Sequence, residues 1–271
     1  MPLNPRKSKL PTEKPEPDLR KDQAFMIDPK AIQWIVEQAN IKKTDTVLEI
    51  GAGTGNLTRE LAKTRARVIA VESDPAMERE LRRRAGRFSN VEILIGNALK
   101  LLGHRGIMFN KIVSNIPYAI SEALIRKLIF HEFSSGVLTL PKGFAHRLIA
   151  AHWEKEYSIL SFVFQRFFIV QGLLDLQRDL FKPMPNTNSV VMKFLTKPKN
   201  SVICQLLLRQ DMVTKNALRE ALCSAKGYTK NRARQRIKTL KPYNLLEKKV
   251  SELSAEEIKS IVKGTAELQE D

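Results

Sequence analysis

The sequence predicts an α/β fold, a doubly wound and mainly parallel sheet, followed by a smaller all-helical unit. Five short β-branched apolar runs alternate with helical stretches, and a glycine-rich turn follows the first run, as in nucleotide-binding βα units. After about residue 197 the sequence becomes charged, with apolar residues at helical spacing. At 271 residues and 43% hydrophobic content, the chain is long enough for one large and one smaller domain.

We predict three segments. Residues 1–21 are rich in Pro, Lys, Arg and Glu and have almost nothing to bury, which is typical of a disordered basic tail. Residues 22–197 hold the strands and the glycine turn, and residues 198–271 form the helical unit. No internal repeat of fixed period is present in the sequence.

The charge of the chain indicates a polyanionic partner. Lys and Arg outnumber Asp and Glu by 46 to 29, a formal net charge of +17, which favours RNA, DNA or an anionic membrane surface. No apolar run reaches the roughly 18 residues needed to span a bilayer, and the first residues lack a signal peptide's apolar centre. The chain is therefore expected in the cytoplasm. Cys204, Cys223 and the four histidines have no metal-ligand spacing, so we expect reduced thiols and no metal.

A helix is predicted to begin at Asp28. Its carboxylate can cap the first turn and Pro29 can occupy that turn, while Ile32 and Ile35 begin an apolar pattern of helical period. We expect this helix to end near Asn40.

The first two strands and the turn between them form the predicted ligand site. Residues 46–50 are the first run and 51–55 read Gly-Ala-Gly-Thr-Gly. The second run, 67–71, ends on Glu72, about 20 residues after the first glycine, where a carboxylate can accept hydrogen bonds from ribose hydroxyls. Asp74-Pro75 then starts another helix. Three further runs are predicted to be strands, at 91–95, 111–114 and 136–140.

The pattern changes after the fifth strand. Two apolar runs, 158–170 and 189–195, flank Phe-Lys-Pro-Met-Pro at 181–185 with no long helix between them. This arrangement favours a hairpin that closes the sheet.

The glycine turn alone does not identify its ligand. The dinucleotide fingerprint requires glycine at position 56, which is Asn56, and the acidic Glu49 before the glycines disfavours a pyrophosphate. S-adenosylmethionine has an adenosine for Glu72, an ammonium group for Glu49 and no phosphate. We therefore predict this cofactor, with a dinucleotide, or glycines that only allow close strand-helix packing, as alternatives.

The stretch Ser-Asn-Ile-Pro-Tyr at 114–118 ends the fourth strand, at the edge where open α/β sheets bind ligands. The exocyclic amine of adenine is a poor nucleophile because its lone pair is delocalised into the ring. The Asn115 oxygen and the Ile116 carbonyl, exposed because Pro117 fixes the turn, can accept hydrogen bonds from its two N–H groups. Tyr118 can stack on the base. These residues predict methyl transfer to an amino group of a base.

The chain from about Asp22 onward resembles the KsgA-type ribosomal RNA adenine N6-dimethyltransferases, relatives of the erythromycin-resistance methyltransferases and mitochondrial transcription factors. Four stretches carry the resemblance, and they occur in the family's order and spacing. They are Val-Leu-Glu-Ile-Gly-Ala-Gly-Thr-Gly-Asn-Leu-Thr at 47–58, Ala-Val-Glu-Ser-Asp at 70–74, Asn-Ile-Pro-Tyr at 115–118, and Phe-Lys-Pro-Met-Pro at 181–185.

The resemblance implies a class I methyltransferase domain with one antiparallel edge strand, and a helical C-terminal domain that helps to bind the small ribosomal subunit. The implied reaction transfers methyl groups from S-adenosylmethionine to N6 of two adjacent adenines near the 3′ end of small-subunit rRNA. Such a base must leave its stack, and Phe181 is the implied second stacking face beside Tyr118.

The sequence departs from the family pattern at three places. The family's Gln-Asn-Phe-Leu before the first helix is Gln23-Ala24-Phe25-Met26, its aspartate that holds the cofactor's adenine amino group is Asn97, and its Gln-Lys-Glu is Pro-Lys-Gly at 141–143. An amide in place of the aspartate costs about 1 kcal/mol of a charge-assisted hydrogen bond. These departures motivate an alternative, a non-catalytic RNA-binding assembly factor with the same fold. A third alternative, methylation of large-subunit rRNA or of DNA, differs from the implied reaction in its substrate only.

The predicted site residues fall into three groups, and the protein is expected to act as a monomer. The catalytic group is Asn115, Ile116, Pro117, Tyr118 and Phe181; the cofactor group is Gln23, Ala24, Met26, Glu49, Gly51, Gly53, Glu72, Asn97 and Asn115; the RNA group is Lys142, Arg147, Lys226, Lys230, Arg232, Arg234 and Arg236.

Overall fold

The computed structural model describes residues 24–103, 107–199, 201–241 and 243–267. The tail predicted over 1–21 and the cofactor residue Gln23 lie outside these ranges. None of the helices within the described ranges is both long and apolar enough to cross a membrane.

Seven strands form the main sheet of the described residues, in the order β4-β3-β2-β5-β6-β9-β7. The first five strands in this order, β4, β3, β2, β5 and β6, pair in parallel, as the alternation of strands and helices predicts. The positions of the five predicted parallel strands are confirmed to within one residue at each end. The strands are β2 Thr46–Ile50, β3 Arg67–Glu72, β4 Val91–Ile95, β5 Lys111–Asn115, β6 Ser135–Pro141, β7 Phe168–Leu176 and β9 Ser189–Thr196.

One strand of the main sheet runs against the others. β9 pairs antiparallel with β6, and β7 pairs antiparallel with β9, so β7 points the same way as the parallel strands. The reversed strand expected from the family resemblance is therefore β9. β9 is the second strand from the edge of the sheet, because β7 pairs with it on the other side and is the edge strand.

The sheet is covered on both faces, which makes it doubly wound. Alternate residues of a strand point to opposite faces, and Val47 and Leu48 of β2 belong to two different hydrophobic clusters. Val47 packs with residues of α1 and α2, while Leu48 packs with residues of α4 to α7. The helices before β7 are α1 Pro29–Gln38, α2 Asn56–Lys63, α3 Glu78–Ala85, α4 Ala98–Gly103, α5 Ser121–Leu128, α6 Lys142–Ile149 and α7 Ile159–Phe167.

The predicted helix starts are confirmed. The Asp28 carboxylate accepts a hydrogen bond from the Ala31 amide at 2.7 Å and Pro29 occupies the first turn of α1, which ends at Gln38, two residues before the predicted end. Asp74 caps a short 3₁₀ turn, Pro75–Met77, that leads into α3.

The run 158–170 is a helix in its first part, and the predicted hairpin consists of β7 and β9 alone. Ser158 caps α7 in a reciprocal capping box with Ser161. The helix is buried on several sides, including Leu160, Phe164 and Phe167. Its apolar residues form a nearly continuous run, which a buried strand also shows, so the sequence pattern did not distinguish the helix from a strand.

A second, two-stranded sheet joins β1 Phe25–Met26 to β8 Phe181–Lys182 in antiparallel register. The Ile27 amide extends the pairing by donating to the Leu180 carbonyl at 2.9 Å. The segment before the first helix is thus attached to the Phe-Lys-Pro-Met-Pro stretch.

The described residues after β9 form helices and one isolated bridge, Val213 to Lys249. One hydrophobic cluster contains Phe164 of α7, Leu206 of α8 and Leu218 of α9, so the last helices share a core with the sheet. The boundary predicted at 197/198 stays a prediction. The helices are α8 Val202–Leu207, α9 Thr214–Lys226, α10 Lys230–Ile237, α11 Asn244–Glu247 and α12 Ala255–Glu267.

Candidate active site

Two glycines of the turn after β2 leave no room for a side chain. Gly51 and Gly53 have φ of +75° and +54°, a left-handed conformation that other residues adopt at a cost. A Cβ on Gly51 would lie 2.8 Å from Cδ of Pro117, and one on Gly53 would lie 2.5 Å from the Phe25 ring. The turn therefore packs directly against the 115–118 stretch on one side and against β1 on the other.

Glu72 at the end of β3 braces this turn. Its Oε2 accepts a hydrogen bond from the Gly53 amide at 2.7 Å, and its Oε1 accepts one from the Asp74 amide at 2.7 Å. An ionised carboxylate has about four acceptor positions, so ribose hydroxyls can still bind. The predicted ribose acceptor therefore has an additional structural role that the spacing did not reveal.

Glu49 is a buried carboxyl group beside the turn, 1% exposed. Burial raises the pKa of Glu49 to about 8, and the negative charge of Glu72 contributes to the increase. Among the described residues, Glu49 Oε2 has no hydrogen-bond partner. A buried acceptor without a donor is costly, and the ammonium group of the predicted cofactor supplies both a donor and an opposite charge. The residues present therefore fit S-adenosylmethionine.

Asn115 ends β5 with its amide in a defined orientation. Its Nδ2 donates to the Ala24 carbonyl at 3.0 Å. A carbonyl can only accept, so the amide nitrogen must face Ala24, which leaves Oδ1 as the acceptor that Asn115 can offer to a substrate. This is the orientation that binding an adenine amine requires.

The three residues after Asn115 are held by their neighbours. The Ile116 amide donates to the Thr139 carbonyl at 3.3 Å, and the Ile116 side chain is buried. The Tyr118 hydroxyl is hydrogen-bonded to Ser189 at the start of β9, and the ring is half-buried. The stretch is therefore attached to β6, the strand next to β5, and to β9, the strand beyond β6.

A cavity of about 460 Å³ lies where these elements meet. Its wall joins the predicted cofactor residues to the predicted catalytic residues, and a smaller cavity beside it shares Gly51 and Asn115 and is lined by Met26 and Glu49. The residues that line the main cavity include Ala24, Phe25, Gly51, Glu72, Asn115 and Tyr118.

Three of the predicted catalytic and cofactor residues that the structure describes line neither cavity: Gly53, Phe181 and Asn97. Phe181 is 3% exposed and packs with Met26 and Leu176 in the hydrophobic cluster between the sheet and α1. Asn97 is exposed and accepts a hydrogen bond from the Lys100 amide at 3.2 Å, at the start of α4. The stacking role of Phe181 and the adenine contact of Asn97 stay predictions.

The sequence reasoning missed Phe25. Its ring lies against Gly53 and forms part of both cavities. The sequence signal was its position within the stretch 23–26, which resembles a family motif, but nothing local separates this phenylalanine from a core residue.

Comparison with known proteins agrees with the site. A family model described as "Ribosomal RNA adenine dimethylase" matches residues 19–263. The chain belongs to this family. The dimethylase fold, the enzyme class predicted from the motifs and S-adenosylmethionine as the methyl donor are thereby confirmed.

Individual relatives span most of this dimethylase. A protein of Methanosarcina mazei named "Probable ribosomal RNA small subunit methyltransferase A" is 34% identical over 89% of this chain and 90% of its own length. The "Ribosomal RNA small subunit methyltransferase A" of Thermotoga maritima is 33% identical over 83% of each chain. The crystal structure of a dimethyladenosine transferase from Plasmodium falciparum covers 90% of this chain and 98% of its own, with 26% identity and a TM-score of 0.63. The structure of the 23S rRNA methyltransferase ErmE, 22% identical with a TM-score of 0.58, covers 89% of this chain and 98% of its own and shows the same fold.

The predicted RNA residues of the dimethylase lie on two helices and the end of a third. Lys142 and Arg147 are on α6, which begins at the end of β6, next to Asn115; Lys142 pairs with Asp175 at 2.8 Å and Arg147 lies near Glu122 at 3.8 Å. Lys226 ends α9 and is exposed. The remaining four are on α10, where Lys230, Arg232 and Arg234 are exposed and Arg236 is half-buried.

No group of three or more metal-ligating side chains occurs in the part of the dimethylase that the structure describes.

Cofactor binding at pH 7 is expected to release close to one proton. The pKa of Glu49, about 8, keeps most of this carboxyl protonated in the free protein, and an ammonium group favours the carboxylate. The pKa of Glu49 in the folded protein lies above its ordinary value. The contribution of Glu49 to the free energy of unfolding is therefore fully present below the ordinary pKa and is lost as the pH rises through about 8. Titration calorimetry of S-adenosylmethionine in phosphate and in Tris gives the number of protons. The Glu49→Gln variant should release none, and a wild-type value near zero would contradict the assignment.

Proposed function

We propose that this dimethylase transfers methyl groups from S-adenosylmethionine to N6 of two adjacent adenines near the 3′ end of small-subunit rRNA. The substrate is an immature small ribosomal subunit in the cytoplasm, and the enzyme acts as a monomer. The observation that carries the proposal is the Asn115 amide, whose oxygen is left as an acceptor at the wall of a cavity that also contains Glu72.

The relatives support the choice of substrate. Those of Methanosarcina mazei and Thermotoga maritima are both named small-subunit methyltransferases, and the alignments span more than four fifths of each chain. Membership of a dimethylase family favours the enzyme over a non-catalytic assembly factor. The intact stretch 115–118 favours it as well, because a factor that only binds RNA does not need it.

The residues of the cavity explain how an unreactive amine can be methylated. Oδ1 of Asn115 and the carbonyl of Ile116 accept hydrogen bonds from the two N–H groups, which draws the nitrogen lone pair out of the ring. Tyr118 stacks on the extruded base, and its hydrogen bond to Ser189 fixes the ring. No general base is needed, because the nitrogen becomes acidic once it is alkylated and its proton leaves to water.

Four residues hold the cofactor in this proposal. Glu49 pairs with its ammonium group, Glu72 accepts hydrogen bonds from its ribose, and Gly51 and Gly53 allow its close approach to the backbone. S-adenosylmethionine supplies the electrophilic methyl group of a sulfonium ion. Pre-organisation of Asn115 by Ala24 then keeps the acceptor oxygen in place for the incoming amine.

Transfer of labelled methyl groups tests the function. Immature small subunits from cells that lack the enzyme are incubated with the protein and labelled S-adenosylmethionine, and the rRNA is digested and analysed by mass spectrometry. Dimethyladenosine in a fragment from the 3′ end supports the proposal. Absence of methyl incorporation, together with no cofactor binding by calorimetry at millimolar concentration, would identify the non-catalytic alternative instead.

Neutralising exposed cations of α10 is expected to weaken rRNA binding. Lys230 and Arg234 are both exposed on this helix, and each phosphate contact adds about one to the slope of log Kd against log salt concentration. Replacing both with Gln should weaken binding about tenfold at low salt and lower the slope by about two. Filter binding at several salt concentrations measures both quantities. The control replaces Arg59 and Lys63, exposed on α2; an equal loss there would show that only net charge matters.

A further inference from the structure

A short segment crosses the active-site cavity and is held by its backbone. We call residues 24–26 the strap; Ala24 and Phe25 line the main cavity and Met26 lines the smaller one. Two asparagine amides donate to its carbonyl oxygens. Asn56 Nδ2 lies 2.8 Å from the Met26 oxygen, and Asn115 Nδ2 lies 3.0 Å from the Ala24 oxygen.

The Asn56 amide is itself oriented from its other side. Arg84 Nη1 donates to Asn56 Oδ1, and Arg84 Nε donates to Glu80 Oε1 at 2.5 Å. The two hydrogen bonds from Arg83, together with the one from Arg84, lower the pKa of Glu80 to about 2 against the effect of burial, so this carboxylate is ionised at neutral pH. The Asn56 oxygen therefore accepts a hydrogen bond from a cation, and the Asn56 nitrogen donates one to a strap carbonyl. The opposite orientation of the amide, with oxygen and nitrogen exchanged, is excluded.

We propose that Asn56 is a positioning residue for methyl transfer, because it holds the strap where the Ala24 carbonyl sets the orientation of the Asn115 amide. The inference rests on the proposed function of Asn115 and adds a residue that lines the smaller cavity but not the main one. The strap contributes the backbone oxygen of Ala24 to this contact, so the contact does not require a polar side chain at position 24.

The second methyl transfer depends more on this orientation than the first. An unmodified adenine amine offers two N–H groups, whereas the monomethylated amine offers one and carries a methyl group in place of the other. If the Asn115 amide turns its nitrogen toward the substrate, the one remaining N–H group of the monomethylated amine loses the Asn115 oxygen as its acceptor. A loosened strap should therefore release more monomethylated product.

The chain offers a matched control in Asn90. Its Nδ2 donates to the carbonyls of Ala62 and Ala66, at the end of α2 opposite Asn56. Asn90→Ala removes two hydrogen bonds of the same amide-to-carbonyl kind from a similar depth, and Asn90 makes no hydrogen bond to the strap. It measures the effect of lost stability alone.

The experiment compares Asn56→Ala, Arg84→Ala, the double variant and Asn90→Ala with the wild type. We expect Asn56→Ala to lower kcat about tenfold, to leave the KM for S-adenosylmethionine within about twofold, and to raise the monomethyladenosine to dimethyladenosine ratio several-fold. The double variant should be no worse than Asn56→Ala, since both act through one contact. Asn90→Ala should keep the wild-type ratio. A wild-type product ratio for Asn56→Ala, or equal shifts in Asn56→Ala and Asn90→Ala, overturns the proposal.

Hydrogen exchange separates this inference from the proposed function. The Ile27 amide, bonded to Leu180 just after the strap, reports on the attachment of the strap in the cofactor-free protein. Exchange in a peptide covering 24–28 should be faster in Asn56→Ala than in the wild type and in Asn90→Ala. Unchanged exchange overturns the inference even if the wild type is fully active. A wild type without activity on small subunits refutes the proposed function, and the exchange result then decides whether Asn56 holds the strap.

Discussion

Asn115→Ala is expected to lower kcat for methyl transfer by about a hundred- to a thousandfold, the loss typical of removing one pre-organised hydrogen-bonding group from a reacting centre. Alanine removes the oxygen that accepts the amine's hydrogen bond and also the donor that holds Ala24. Single-turnover methyl transfer to small-subunit rRNA measures the chemical step directly. Thermal unfolding of the same preparation shows how much of the protein is folded.

Two further variants identify the cause of this loss. Asn115→Asp keeps an acceptor oxygen but cannot donate to the Ala24 carbonyl, so its activity should lie between those of the alanine variant and the wild type. Asn110, at the opposite end of β5, accepts from the Thr46 amide at 2.7 Å and donates to Asp45 at 2.6 Å. Asn110→Ala should cost stability and leave kcat of the folded enzyme unchanged. Activity of Asn115→Ala within a few-fold of wild type would contradict the proposed role of Asn115 as the acceptor for the adenine amine.

Gly51→Ala is expected to abolish measurable cofactor binding and activity together. The left-handed backbone costs about 1–2 kcal/mol for any residue with a Cβ, and that Cβ would lie 2.8 Å from Cδ of Pro117. Because ring and backbone cannot both stay in place, the turn moves away from the cofactor or the stretch 115–118 moves away from the substrate. Calorimetry with S-adenosylmethionine and the methyl-transfer assay report on the two parts separately.

Gly172→Ala provides the control for this substitution. A Cβ on Gly172, in β7, meets nothing within 4 Å, and its φ is not left-handed. This variant should bind cofactor and transfer methyl groups as the wild type does. If Gly51→Ala also did so, the turn would have to be far more adaptable than its contact with Pro117 indicates.

Local sequence pattern predicted much of the catalytic half of the fold. The β-branched runs and the glycines define the parallel strands because each strand is short and bounded by its own turn, and all but β4 are mostly buried. The helix α7 was missed because it is buried on several sides, so the 3.6-residue period that identifies a helix is weak.

Within the site, the sequence predicted the positions of residues that are set by their own strand or turn. Asn115 and Glu72 end their strands, and the structure brings them to one cavity as predicted. The contacts between Asn56 and Met26 and between Asn115 and Ala24 join positions 30 and 91 residues apart. No local spacing encodes such contacts. The burial of Phe181 is likewise not encoded locally, because it depends on the pairing of β8 with β1.

The hydrophobic cluster that runs from the sheet into the last helices has a consequence for how the protein unfolds. Phe164 and Phe167 of α7 are fully buried, and Val202 and Leu206 of α8 belong to the same cluster. A chain cut after β9 would lose part of the apolar contacts of α7, at about 25 cal/mol for each Å² exposed to water. Loss of the C-terminal helices would therefore destabilise the half that performs catalysis. The two halves are expected to melt as one cooperative unit, so separating RNA binding from methyl transfer calls for surface substitutions, because truncation would damage both.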